Sequence, residues 1–119
     1  MNEDKGFYSI IEYAVDGPET QAALVDAFAE IQERWVRFYP GYVSARFHAS
    51  VDGTRVFNLV SWASEADYRH FEETSDLDGR LAAIQAALDG LPGEVESRVS
   101  ANPRYRVVRE IGPGPRLVL

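Results

Sequence analysis

Cysteine is absent from the 119-residue chain. Disulfides, thiolate nucleophiles and iron–sulfur clusters are therefore excluded together. No apolar run approaches the roughly 18–20 residues of a membrane-spanning helix. Positive charge is scarce: 12 Lys and Arg against 19 Asp and Glu leave a formal net charge of −7. Such a surface repels phosphate, which speaks against nucleic acid and anionic membrane as partners. Histidine occurs only at His48 and His70. They lack metal-ligand spacing and no carboxylate-rich strand motif accompanies them, so no metal site is expected. A nucleophile elbow, a phosphate loop and a dinucleotide fingerprint are all missing. Met1 to Gly6 is polar and acidic, unlike a secretory signal. The cytosol (a cytoplasmic location) is the expected compartment, and residues 1–6 are expected to be flexible.

What is present is an ordinary globular composition, 45% hydrophobic, at the length of one domain over residues 1–119. Phe7 to Val15 reads as a strand, closed by Asp16-Gly17-Pro18. Pro18 suits a first helical turn. Leu24, Ala27, Phe28, Ile31, Trp35 and Phe38 then form one apolar stripe on a long helix, which Pro40-Gly41 ends. Tyr42 to Ser50 and Thr54 to Trp62 are strands around Asp52-Gly53, a strong hairpin signal. Ser64 caps a short helix over Glu65 to Thr74, and Asp76 caps another whose apolar face is Leu77, Leu81, Ile84, Leu88 and Leu91. Val95 to Asn102 is ambiguous, Tyr105 to Ile111 is the expected last strand, and residues 112–119 are an extended tail that could cover a neighbouring subunit. The order is that of an α+β, ferredoxin-like split βαβ domain with an antiparallel sheet.

Turn length decides which hairpin side chains share a face. A two-residue Asp52-Gly53 loop pairs Phe47 with Asn58 and His48 with Phe57, and both faces come out mixed. A three-residue Val51-Asp52-Gly53 loop pairs Ser50 with Thr54 and Arg46 with Asn58. One face then carries Tyr42, Ser44, Arg46, His48, Val56, Asn58, Val60 and Trp62, and the other is apolar. The second register is preferred because it separates polar from apolar groups. It predicts helices over the polar face and a homodimer packed sheet to sheet through the apolar one. A polar inner face is explained by a ligand pocket. The alternative is that Arg46 and His48 simply stay wet.

Asn58 stands mid-strand between Phe57 and Leu59, where Asn is disfavoured. It can donate and accept at once, as a carbonyl–enol pair requires, or make an ordinary structural hydrogen bond. Trp62, four residues on, offers a flat wall and one N–H donor, or plain core packing. Tyr68 and Phe71 share one side of the next helix, as site groups or as packing. Arg80 falls on an apolar stripe, where it must meet an anion or snorkel to water. His48 and His70 are the two possible general bases near neutral pH.

The stretches Pro40 to Arg46, Ser50 to Val56 and Asn58 to Tyr68 resemble the antibiotic biosynthesis monooxygenase family, and the likeness extends over about Phe7 to Ile111. The resemblance implies a homodimer with a dimeric α+β barrel. It implies oxidation of a small aromatic substrate, an anthrone or hydroquinone of polyketide type, to a quinone by molecular oxygen. Neither metal nor flavin is implied as a cofactor. It singles out Asn58, Trp62, Tyr68 and, by a looser match, Arg80, with His48 beside them in the pocket. Tyr42, Arg46, Phe71 and His70 complete the expected lining. Asn58 and Trp62 would polarise substrate oxygens, Arg80 would stabilise the anion, and Tyr68 or His48 would relay the proton. Competing functions are a non-catalytic ligand-binding barrel, a polyketide cyclase and haem degradation, the last needing His70 as axial ligand.

Overall fold

The computed structural model describes residues 6–97 and 104–115. Strand β1 (Phe7–Val15) buries Phe7, Ser9, Tyr13 and Val15, the side-chain alternation of a strand packed on one face. Helix α1 (Pro18–Ile31) opens on Pro18 and buries Leu24, Phe28 and Ile31. Hairpin strands β2 (Tyr42–Ala49) and β3 (Arg55–Trp62) follow, then α2 (Glu65–Thr74) and α3 (Leu77–Asp89), and lastly the short strands β4 (Val95–Ser97) and β5 (Arg104–Arg106). The antiparallel sheet runs β2-β3-β1-β4, with β5 also on β1. This is the ferredoxin-like α+β arrangement. Among the described residues, no helix is long and apolar enough to cross a membrane.

Both predicted caps are made. Ser64 Oγ accepts the Asp67 N–H at 3.1 Å, and Asp76 Oδ1 accepts the Gly79 N–H at 2.9 Å.

Four features differ from the sequence reading. The first is the long helix. After Ile31 the backbone forms a π-turn over Gln32–Val36, in which the Arg37 N–H reaches the Gln32 carbonyl at 3.0 Å. A π-turn takes in one extra residue, so later side chains slip around the axis. Val36 is buried, whereas Phe38, last on the expected stripe, is 69% exposed.

The second is the hairpin register. Phe47 pairs with Asn58, His48 with Phe57 and Arg46 with Leu59. The loop is four residues, Val51 to Thr54, closed by the Ser50 N–H on the Arg55 carbonyl at 3.0 Å. The Thr54 N–H, which the three-residue loop would turn toward Ser50, is taken by Asp52 Oδ1 at 3.0 Å and Ser50 Oγ at 3.2 Å. Gln21 of α1 fastens this form, donating to the carbonyls of Ser50 and Arg55 at 3.1 and 2.9 Å. A bulge at Val43 then returns Tyr42 to a position opposite Trp62. The helix-covered face therefore holds Tyr42, Ala45, Phe47, Val56, Asn58, Val60 and Trp62. Ser44, Arg46 and His48 lie on the open face with Phe57, Leu59 and Ser61, so that face is mixed rather than wholly apolar.

The third is α3, which turns Arg80, Ala83, Ile84, Ala87 and Leu88 inward and leaves Leu77 and Leu81 exposed. The last is the final strand. It is only Arg104–Arg106, paired with Ser9, Tyr8 and Phe7, and one further bond joins the Val107 N–H to the Gly6 carbonyl. The pairing runs out because β1 begins at Phe7. The expectations for residues 1–5, 98–102 and 116–119 lie outside the described residues.

Candidate functional site

The core on the helix side falls into two clusters. One gathers Phe7, Val36, Val60, Trp62, Tyr68 and Phe71; the other gathers Tyr13, Val15, Leu24, Phe28, Ile31 and Val56. A cavity of about 120 Å³ lies at their seam, lined from both clusters and by Ser9, Ile11, Gln32, Asn58, Arg80 and Ile84. That volume is comparable to a cavity known to take a single aromatic ring, about 150 Å³.

The sheet supplies the polar floor. Asn58 faces Ile11 across the β1–β3 ladder, and Ser9 faces Val60. Asn58 is 4% and Trp62 1% exposed, yet Asn58 Oδ1 and Trp62 Nε1 have no hydrogen-bond partner among the described residues. Each such atom costs about 1–3 kcal/mol. Three rings hold the indole in place. Tyr42 and Tyr68 meet it edge-on at 5.4 and 5.7 Å, and Phe71 lies tilted against it at 5.1 Å. The Tyr42 hydroxyl donates to Gln32 Oε1 at 3.1 Å, so Tyr42 braces two lining residues without lining the cavity itself.

The helices supply the charged end. Arg80 stacks over Phe71, 4.4 Å from the ring centre, and its Nη1 donates to Ser75 Oγ at 2.9 Å. Burial lowers its affinity for the proton, and the nearby Tyr68 and Glu72 oppose that trend. The guanidinium stays a cation at any physiological pH. Tyr68 is buried and donates its hydroxyl to Glu72 Oε2 at 3.0 Å. Burial and then the neighbouring carboxylate push its pKa up to about 12. Tyr13 is pushed up to about 12 by burial alone. Both phenols therefore serve as neutral donors near neutral pH.

The structure thus brings Asn58, Trp62, Tyr68, Phe71 and Arg80 around one cavity, with Tyr42 one layer behind. Arg46 and His48 do not join them. The two-residue-type register turns both to the open face, where His48 Nδ1 lies 3.2 Å from the Phe57 carbonyl oxygen. His70 is exposed on α2 and does not line the cavity. Haem degradation thereby loses its candidate axial ligand. Among the described residues, no cluster of His, Cys, Asp and Glu could hold a metal ion.

Ser9, Tyr13 and Gln32 are lining residues that the sequence reading missed. Ser9 and Tyr13 follow the period of two along β1 and were accessible to that argument. Gln32, four residues after Phe28, was open to the same argument along α1.

Comparisons with known proteins bear on the family and the fold. The model of a family described as antibiotic biosynthesis monooxygenase matches residues 7–86. The tetracenomycin-F1 monooxygenase of Streptomyces glaucescens is 48% identical over 52 residues, 44% of this chain. That match spans 46% of the relative, so the chain covers about half of its length. A monooxygenase from the ActVA-Orf6 gene of Streptomyces coelicolor, solved with nanaomycin D, is 37% identical, with 92% of this chain and 93% of that one superposed at a TM-score of 0.66. SnoaB, a cofactor-independent oxygenase from Streptomyces nogalater, shares the fold at a TM-score of 0.62 and 20% identity, over 93% of this chain and 99% of that one.

Proposed function

This chain belongs to the antibiotic biosynthesis monooxygenase family, and we propose that it oxidises an aromatic polyketide-type phenol, anthrone or hydroquinone to a quinone with molecular oxygen, using neither metal nor flavin. The observation that carries the reading is a pair of buried atoms, Asn58 Oδ1 and Trp62 Nε1, that find no partner among the described residues and stand on the wall of a ring-sized cavity. One accepts and the other donates. Together they complement a substrate that carries a hydroxyl and a carbonyl. The cavity is partly open, so one ring can sit between these atoms while the rest of a polycyclic substrate extends outward, and the sheltered position strengthens both interactions.

In this reading the substrate hydroxyl gives its proton to the protein, and Arg80 stabilises the resulting anion. The electron-rich anion then reduces oxygen. For an anthrone the ring CH₂ and O₂ become a carbonyl and one water, so oxygen is the only oxidant needed. The protein binds, orients and excludes water while the substrate supplies the electrons. Two chains are further proposed to pair through the open sheet face, where Phe57 and Val43 are exposed.

An oxygen electrode with an anthrone as substrate tests the activity. Asn58→Ala and Trp62→Phe should each lower kcat/KM at least about tenfold, the scale of losing one polar contact in a transition state. A chelator should leave the wild-type rate unchanged. Wild-type kcat/KM in both variants refutes the assignment.

A further inference from the structure

Tyr68 has a second side. Beyond its ring, away from the cavity, a groove of about 300 Å³ is lined by Phe7, Glu65, Tyr68, Arg69, Arg104 and Arg106. Among the described residues, Tyr68 alone borders both spaces. Glu72 joins the two sides. Its Oε2 accepts the Tyr68 hydroxyl at 3.0 Å, and its Oε1 meets Nη1 of Arg104 on β5 at 3.3 Å. Its side chain is 39% exposed. A buried donor, a half-exposed acceptor and open solvent are thus arranged in series.

We propose that Glu72 is the proton acceptor behind Tyr68, and that the pair carries the substrate's hydroxyl proton from the cavity to solvent. This rests on the reading of the site as one that ionises a phenol. The transfer is a double hop. The substrate O–H bond breaks as its proton joins the Tyr68 oxygen, and the Tyr68 O–H bond breaks as that proton joins Glu72 Oε2. Tyr68 ends neutral, the substrate is an anion, and the Glu72 carboxyl loses its proton to water. No group changes oxidation state. The high pKa of Tyr68 suits a relay that never holds a free phenolate.

The charges around Glu72 fit the role. Arg104 reaches it from β5, and Arg80 on α3 lies near enough for its charge to be felt. Glu65, earlier on α2, is occupied by Arg69 at 2.9 Å and Arg106 at 3.0 Å. It leaves Arg104 to Glu72. Glu72 acts through Tyr68 and does not line the cavity, so it is a positioning and relay residue rather than a catalytic one.

The decisive measurement does not depend on turnover. 4-Nitrophenol is a single ring whose colour reports its ionisation. With it bound, a stopped-flow pH jump should recolour the wild-type protein at least about tenfold faster than Glu72→Gln, with Glu72→Asp in between. Equal rates in wild type and Glu72→Gln overturn the relay, and so does failure of the phenol to bind. With an anthrone, Glu72→Gln should lose about tenfold in kcat with KM held within about twofold, and added acetate should restore part of the rate. Wild-type kcat in Glu72→Gln overturns the relay, even where Asn58→Ala remains impaired. A wild-type protein that consumes no oxygen overturns the activity proposed above, and the pH jump still decides the relay.

Discussion

Asn58 and Trp62 each bury a polar atom that no group among the described residues satisfies. Folding alone gives no reason to keep them, since an apolar group of the same shape would avoid the cost. Asn58→Leu keeps nearly the same shape and should therefore raise stability by about 1 kcal/mol, or a Tm gain of roughly 3–6 °C, while turnover falls. Thermal melts beside the oxygen assay check this. A lower Tm would make Asn58 a structural residue. At this scale the sequence was informative, because Asn between Phe57 and Leu59 contradicts strand propensity. It was silent on Glu72, an ordinary surface residue until Tyr68 and Arg104 are seen on its two oxygens.

Elements were legible wherever local chemistry sets them. The Ser64 and Asp76 caps, the helix start at Pro18 and the turn at Gly53 all follow from single residues. The hairpin register was not, because polar side chains redirect its turn. Asp52 is central to that turn. Hydrogen bonds from the Thr54 hydroxyl, the Ser50 hydroxyl and the Thr54 N–H hold its pKa at about 2, below the usual carboxylate range. A carboxylate with a depressed folded pKa stabilises the fold above its unfolded pKa, and that stability is lost as pH falls toward the folded value. The Tm difference between wild type and Asp52→Asn should accordingly be constant near neutrality. It should shrink as the pH is lowered from about 4 to about 2. A gap independent of pH would mean that the charged form contributes nothing to the turn.

At the level of the whole molecule, the open sheet face is the main surface left to explain. It mixes exposed Phe57 and half-buried Leu59 and Ile10 with Arg46, His48 and Glu12. Pairing two such faces buries apolar area at about 25 cal/mol per Å² and places charges of both signs at the interface. Light scattering at micromolar concentration should give about twice the 13.3 kDa chain mass, and Phe57→Glu should shift the population toward monomer. A monomeric wild type would sink the pairing.

Composition and local pattern, taken alone, determined the element order, the caps and the presence of Asn58 and Trp62 on one face, since residues four apart on a strand always share a side. The family likeness was carried by the same stretches. Three matters waited for the tertiary structure: the side to which Arg46 and His48 point, the residues that follow the π-turn into the cavity, and the partner behind Tyr68. Each depends on groups far apart in the chain. Gln21 grips a turn 29 residues away, and Arg104 reaches Glu72 across 32. Strand periodicity carries no record of either contact. The hairpin residues therefore divide between the two faces. Asn58 and Trp62 line the cavity, and the charged residues of β2 face the other way.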